Sequence, residues 1–140
     1  PYSAERFLGL VEKLYAAMPQ LSLSTDVIVG FPGETEEDFL ETCRVAEACR
    51  FSKMHIFRYS KRAGTPAAER DDQVSPEAKA ERAKRLEAIE ERLRADDMRR
   101  RRGSRELALV ESEGNATTES YHGIDAPEGS AVGDLVECEL

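Results

Sequence analysis

The chain opens with apolar residues spaced three and four positions apart. Phe7, Leu8, Val11, Leu14, Tyr15 and Met18 follow that spacing, with Ser3 ahead of them as a cap and Pro19 behind, which predicts a helix with one buried face. The pattern then changes. The β-branched run Thr25-Asp26-Val27-Ile28-Val29, within an apolar stretch from Leu21 to Phe31, stops at Gly30 and suits a strand of a parallel sheet covered by helices. Phe31-Pro32-Gly33-Glu34 turns the chain. Thr35-Glu36-Glu37-Asp38 then opens a second helix running to about Cys49, with a capping-box pattern and carboxylates at the positive end of the helix dipole. A second strand, Lys53 to Ser60, makes residues 22–60 a βαβ unit.

Residues 61–74 read as a polar loop. Ser75 caps a long helix with Pro76 at its first position, and Leu86, Ile89 and Leu93 give that helix a narrow apolar seam. Gly103 stops it after Arg99 to Arg102, whose cations complement the carbonyl end. Beyond it, Glu106–Glu111, Thr117–Asp125 and Asp134–Leu140 read as short strands separated by turn residues, with Val136, Cys138 and Leu140 on one face at period two. A small antiparallel β module is predicted.

Composition narrows this picture in two ways. No apolar run approaches the ~20 residues of a membrane span and the start lacks a signal-peptide pattern, so no membrane contact and a cytoplasmic location are expected. The net charge of −8 is unevenly placed. Residues 1–103 hold 19 basic and 19 acidic side chains, whereas residues 104–140 hold Arg105 alone against nine carboxylates. That imbalance argues against phosphate binding by the tail. Arg99 to Arg102 with Arg105 could offset it, either as a phosphate contact or simply as a solvated helix end. The three cysteines, Cys43, Cys49 and Cys138, fit neither a zinc nor an iron–sulfur spacing, and Cys43 falls on the apolar stripe of its helix. No metal ligand and no catalytic residue is assigned.

Period two sorts the strand side chains. Val27, Val29, Met54 and Ile56 are expected under the helices, while Asp26, Gly30, His55, Phe57 and Tyr59 line the other face. A carboxylate, an imidazole and a phenol on one inner face suit a ligand site; a core Asp and His satisfied by neighbours would show the same pattern. Gly30 to Gly33 lies at the C-terminal end of a parallel strand, where α/β folds bind ligands, although a tight turn without a ligand would look alike.

The strings STDVIVGFPGETEEDF, FSKMHIFRYSKRAGTPAA and DQVSPEAKAERAKRL closely resemble the tRNA methylthiotransferases, and the resemblance spans essentially the whole chain. TESYH and HIFRYSKRAGTPAA are most similar to the branch acting on N6-threonylcarbamoyladenosine in tRNA. The resemblance implies enzymes with an N-terminal domain, a radical S-adenosylmethionine (SAM) barrel of the TIM-like kind and a C-terminal TRAM domain. It also implies SAM and two 4Fe–4S clusters as cofactors, and a radical route to methylthiolation of a modified adenosine beside the anticodon.

Carried onto this chain, the resemblance implies an α/β fold in three parts. Residues 1–75 would be the second half of a partial barrel, residues 76–103 a long helix, and residues 104–140 a TRAM-like β module. Asp26, Ile28, Gly30, Phe31, Gly33 and Glu34 match the strand motif near the SAM adenosine. Phe57, Arg58 and Tyr59 match the strand that would pair the adenine edge. Tyr59, Ser60, Arg62 and Thr65 would line the substrate rim. Because no cluster-binding cysteine motif is present, the chain reads as a fragment, inactive alone, that binds no cofactor by itself. Its partners would be tRNA, through the parent protein, and the missing N-terminal domains. The fragment, with an open strand edge, is expected to self-associate. The rival reading is a non-catalytic RNA-binding or protein-interaction module; another radical SAM enzyme with a different substrate is a third.

Overall fold

A computed structural model describes residues 3–140 and shows a mixed α/β architecture of helices and two separate sheets. Residues 1 and 2, counted above in the first part of the chain, lie outside the described residues.

Helix α1 (Ala4–Ala17) starts where Ser3 Oγ accepts the Arg6 N–H at 3.3 Å, and it stops two residues short of Pro19. Strand β1 (Ser24–Val29) and strand β2 (Lys53–Arg58) pair in parallel, from Ser24 opposite Lys53 to Val29 opposite Arg58. Between them runs α2 (Glu36–Cys49). Its capping box is formed: Thr35 Oγ1 accepts the Asp38 N–H at 3.1 Å and the Asp38 carboxylate accepts the Thr35 N–H at 2.9 Å. Arg50 closes the helix in the left-handed region at φ 51°.

A short helix, α3 (Pro66–Glu69), interrupts the stretch expected to be loop, capped by Thr65. The long helix α4 (Pro76–Arg101) begins at Ser75, whose Oγ accepts the Ala78 N–H at 3.1 Å. Leu86, fully buried, and Leu93 pack with Ala83 into one core together with Val29 and Met54 of the strands and Phe39, Cys43, Ala46 and Cys49 of α2. A buried leucine of this kind contributes about 1.5–3 kcal/mol, and Leu86→Ala would cost about 2–5 kcal/mol.

The second sheet is antiparallel, built from β3 (Arg105–Ser112), β4 (Asn115–Thr118), β5 (Gly123–Asp125) and β6 (Leu135–Glu139) in the order β5-β4-β3-β6. Its small core holds Ala108, Val110 and Ala116, with Val136 and Cys138 against it. The single strand expected over Thr117–Asp125 is two. Thr118 to His122 forms a turn in which Tyr121 takes φ 65° and the Thr118 N–H donates to the His122 carbonyl at 2.9 Å. Hydrophobic alternation is indifferent to such a turn, because Thr and Tyr are also good strand residues.

A buried polar cluster joins this sheet to α4 and to the Gln20–Leu21 segment that precedes β1. Arg101 donates to Asp97 at 2.8 Å, to Glu106 at 3.0 Å and to the Gln20 carbonyl at 3.2 Å. His122 Nε2 lies 2.9 Å from Asp97, and Ser120 Oγ donates to Glu106 at 2.5 Å. The structure divides the run from Arg99 to Arg102. Arg99 and Arg100 pair with Asp96 and Asp97, and Arg101 is buried. Arg99, Arg100 and Arg102 remain exposed at the helix end, and helical i,i+3 spacing brings the chain's own carboxylates onto Arg99 and Arg100.

Candidate functional site

The alternation in β1 and β2 gives the sheet two unlike faces. Val27, Val29, Met54 and Ile56 turn into the helix-covered core, while Asp26, Ile28, His55 and Phe57 are exposed on the other side. Ile28 and Phe57 are register partners, 54% and 53% exposed. Two large apolar side chains held side by side in water on a sheet signal a surface made to be covered.

They lie in a cavity of about 660 Å³ that opens at the C-terminal ends of the strands. Asp26, Phe31, Arg58, Tyr59, Ser60, Arg62 and Thr65 complete its lining with Ala67 of α3, so two basic residues and one acidic residue belong to it. Phe31 and Tyr59 meet edge to face across the strand ends, ring centres 5.2 Å apart. The Tyr59 hydroxyl is buried and has no hydrogen-bond partner among the described residues. Thr65 is less available than its position suggests: its Oγ1 donates to the Arg62 carbonyl at 2.8 Å and accepts the Ala68 N–H at 3.3 Å.

Gly30, Gly33 and Glu34 stand behind the cavity, in the turn. Gly30 is at φ 72°, and a β-carbon there would overlap Cγ of Lys79 rather than enter the cavity. Gly33, at φ 83°, donates its N–H to the Asp72 carbonyl at 2.8 Å and leaves room for the Arg70–Asp72 ion pair. The Glu34 carboxylate faces away from the cavity, accepting the Gly30 N–H and an Arg82 Nη1 bond of 2.9 Å.

No motif in the sequence marks Lys79, but Arg82 carries one signal. Arg82 stands on the apolar seam, in the series 82, 86, 89, 93, and a charge on a buried stripe has a partner to meet. The cysteines are scattered. Cys43 and Cys49 are buried against the first sheet and Cys138 lies in the second, and burial pushes all three thiols up. Among the described residues no group of three or more metal-ligating side chains converges, so the residues present do not fit an iron–sulfur cluster.

Parallel strands backed by helices, with a cleft at their C-terminal ends, give the layout in which α/β folds place their ligand sites. No family model matches the chain. Its similarity to curated proteins is nevertheless extensive. It is 49% identical over 121 residues to the tRNA-2-methylthio-N(6)-dimethylallyladenosine synthase of Thermobifida fusca, covering 86% of this chain and 24% of that protein. Synthases of the same name from Methylacidiphilum infernorum (47% identity, 87% of this chain, 26% of that protein) and Clavibacter sepedonicus (42%, 99% and 29%) match similarly. The chain thus spans about a quarter of the length of the curated relatives it matches. It is homologous to one segment of tRNA-modifying methylthio synthases.

Proposed function

We propose that this chain supplies one wall of the SAM pocket in a tRNA methylthiotransferase of the radical SAM type. The observation that carries the reading is the exposed pair Ile28–Phe57 in a cleft also lined by Tyr59, whose buried hydroxyl has no hydrogen-bond partner among the described residues. A flat, partly polar ring such as adenine fits two apolar side chains and one orphan hydroxyl, since it buries the first and pairs the second. Bound there, SAM supplies the radical and methyl chemistry. The chain's own residues bind and orient it: Ile28 and Phe57 cover the ring face, and Tyr59 and Ser60 offer hydroxyls at its edge. Arg58 and Arg62 bring positive charge to the rim where an anionic substrate would approach. Clusters and catalytic cysteines belong, on this reading, to a longer protein of which β1 and β2 form part of the barrel and β3–β6 a TRAM-like module.

The names of the relatives support N6-dimethylallyladenosine as the substrate base. TESYH and HIFRYSKRAGTPAA favour the second reading, N6-threonylcarbamoyladenosine. TESYH weighs less than the other string: it is Thr118 to His122, where Thr118, Ser120 and His122 are buried in the polar cluster, away from the cavity.

The test uses the full reading frame that carries this chain, reconstituted anaerobically and offered tRNAs bearing each modification. Methylthiolation of the dimethylallyl base alone is the expected result, with Phe57→Ala weakening SAM binding about tenfold through lost apolar cover. Product from the threonylcarbamoyl base alone reverses the substrate assignment. Unchanged SAM affinity in folded Phe57→Ala removes the pocket assignment.

A further inference from the structure

Helix α4 holds both strand ends that form the cavity, without lining it. Lys79 lies over Gly30, and its ammonium donates to the Tyr59 carbonyl at 3.1 Å while sitting 5.1 Å from the centre of the Tyr59 ring. One turn on, buried Arg82 donates through Nη1 to the Glu34 carbonyl at 3.1 Å and to Glu34 Oε2 at 2.9 Å. That same Oε2 accepts the Gly30 N–H. Arg82 therefore ties the end of β1 through Glu34, and Lys79 ties the end of β2 through Tyr59.

Backbone pairing does not do this by itself. The last backbone bond between the two strand ends, among the described residues, is from the Tyr59 N–H to the Val29 carbonyl at 2.9 Å. Beyond it the chains diverge into separate loops, yet Phe31 and Tyr59 must still meet across the gap. Charge-assisted bonds from a rigid helix take over where the ladder stops.

We infer that Lys79 and Arg82 are positioning residues for the ligand pocket, setting the spacing of the Gly30 turn and Tyr59 above the Ile28–Phe57 pair. The inference rests on the adenosyl-pocket reading above. A pocket whose rim shifts by a fraction of an ångström loses affinity although no contacting atom is removed.

The experiment is equilibrium dialysis of the full-length protein against SAM, with amide hydrogen exchange read at Gly30 and Tyr59. Lys79→Met keeps the stem over Gly30 and removes the ammonium. Arg82→Met removes both bonds to Glu34, and Arg82→Lys keeps the charge and one reach. The expected result is a Kd weakened about tenfold in Lys79→Met and further in Arg82→Met, with Arg82→Lys between Arg82→Met and the unaltered protein. Exchange at Gly30 should quicken in the Arg82 variants. An unchanged Kd in folded Lys79→Met and Arg82→Lys overturns the inference, as does a smaller binding-competent fraction at unchanged Kd, which marks a merely structural anchor. Phe57→Ala separates the two levels. If it weakens binding and the α4 variants do not, only the positioning role falls; if Phe57→Ala binds normally, the pocket reading falls and this one with it.

Discussion

Arg82 and Arg101 stand near opposite ends of α4, 7% and 4% exposed, and both are bound to carboxylates. Their surroundings differ. Arg101 is filled: Asp97, Glu106 and the carbonyls of Gln20 and Leu21 take its donors, and His122 and Ser120 complete the carboxylates. Arg82 is not, since its Nε is buried without a hydrogen bond among the described residues, with the Glu36 carboxylate 3.7 Å away. A cluster with every partner in place rigidifies and does little else. The incompletely satisfied arginine is the one next to the open cavity, through Glu34 and Gly30. One helix thus fastens the β module at one end and shapes a candidate pocket at the other.

The comparison breaks most visibly at Arg101. Arg101→Ala leaves Asp97 and Glu106 buried without their main cation, and breaking such a group costs about 3–5 kcal/mol. Urea unfolding of the chain measures this, and a loss near zero would show that the two sheets do not depend on the cluster.

Acid acts on the same cluster. Burial pushes the Asp97 carboxyl up, but hydrogen bonds from Arg101, His122 and Arg100 outweigh it and hold the group below the usual carboxylate range. Glu106 is likewise held down against burial by hydrogen bonds led by Ser120. Both folded pKa values lie below their unfolded values, so their contribution is present above about pH 4.5 and is lost as pH falls through the folded values. The β module should therefore loosen below about pH 4. Amide exchange across β3 and β6 should rise there before it rises in β1 and β2, and Asp97→Asn should flatten the dependence. Simultaneous loss in both sheets would contradict it.

At the Arg82 end the expected behaviour is association. β1 and β2 form a sheet of only two strands, and its bare face shows Ile28, Phe57 and Phe31 to water. Open edges and apolar patches of this kind recruit partners, most simply a second copy. Light scattering of the chain across a wide concentration range should show a dimer that Ile28→Lys weakens. A monomer at all concentrations would mean that the face is tolerated as it stands.

The smallest effect is expected at Arg99, 64% exposed and paired with Asp96 on the same helix turn. Arg99→Ala should leave stability within measurement error, because exposed pairs gain little over solvation. A clear loss would show that the whole arginine run acts as one unit.

Much of the fold was legible because it rests on local rules. Ser3, Thr35 and Ser75 each cap the helix expected of them, and the alternation in Thr25–Val29 and Met54–Phe57 sorted the covered side chains from the bare ones. Helix α3 was missed because four residues in a polar stretch carry no periodicity. The split between β4 and β5 was missed because its turn is written in strand-forming residues. At the site, period two picks out Asp26, Phe57 and Tyr59 of the lining but also His55, which is exposed outside it, and Gly30, which is buried in the turn. In that turn, no local pattern announces that Gly30 makes room for Lys79 and Gly33 for the Arg70–Asp72 pair.

What the sequence by itself determined is therefore the elements, the covered and bare faces of the parallel pair, and the acidic bias of the tail. Each follows from neighbours a few residues away, where caps, periodicity and turn chemistry act. Only the tertiary structure decided which charges meet. Glu34 finds Arg82, and Glu106 finds Arg101 and Ser120, through the packing of α4 against strand ends. A guanidinium can pair with any carboxylate in reach. Burial then selects the partner, because the low-dielectric interior tolerates only charges that arrive together.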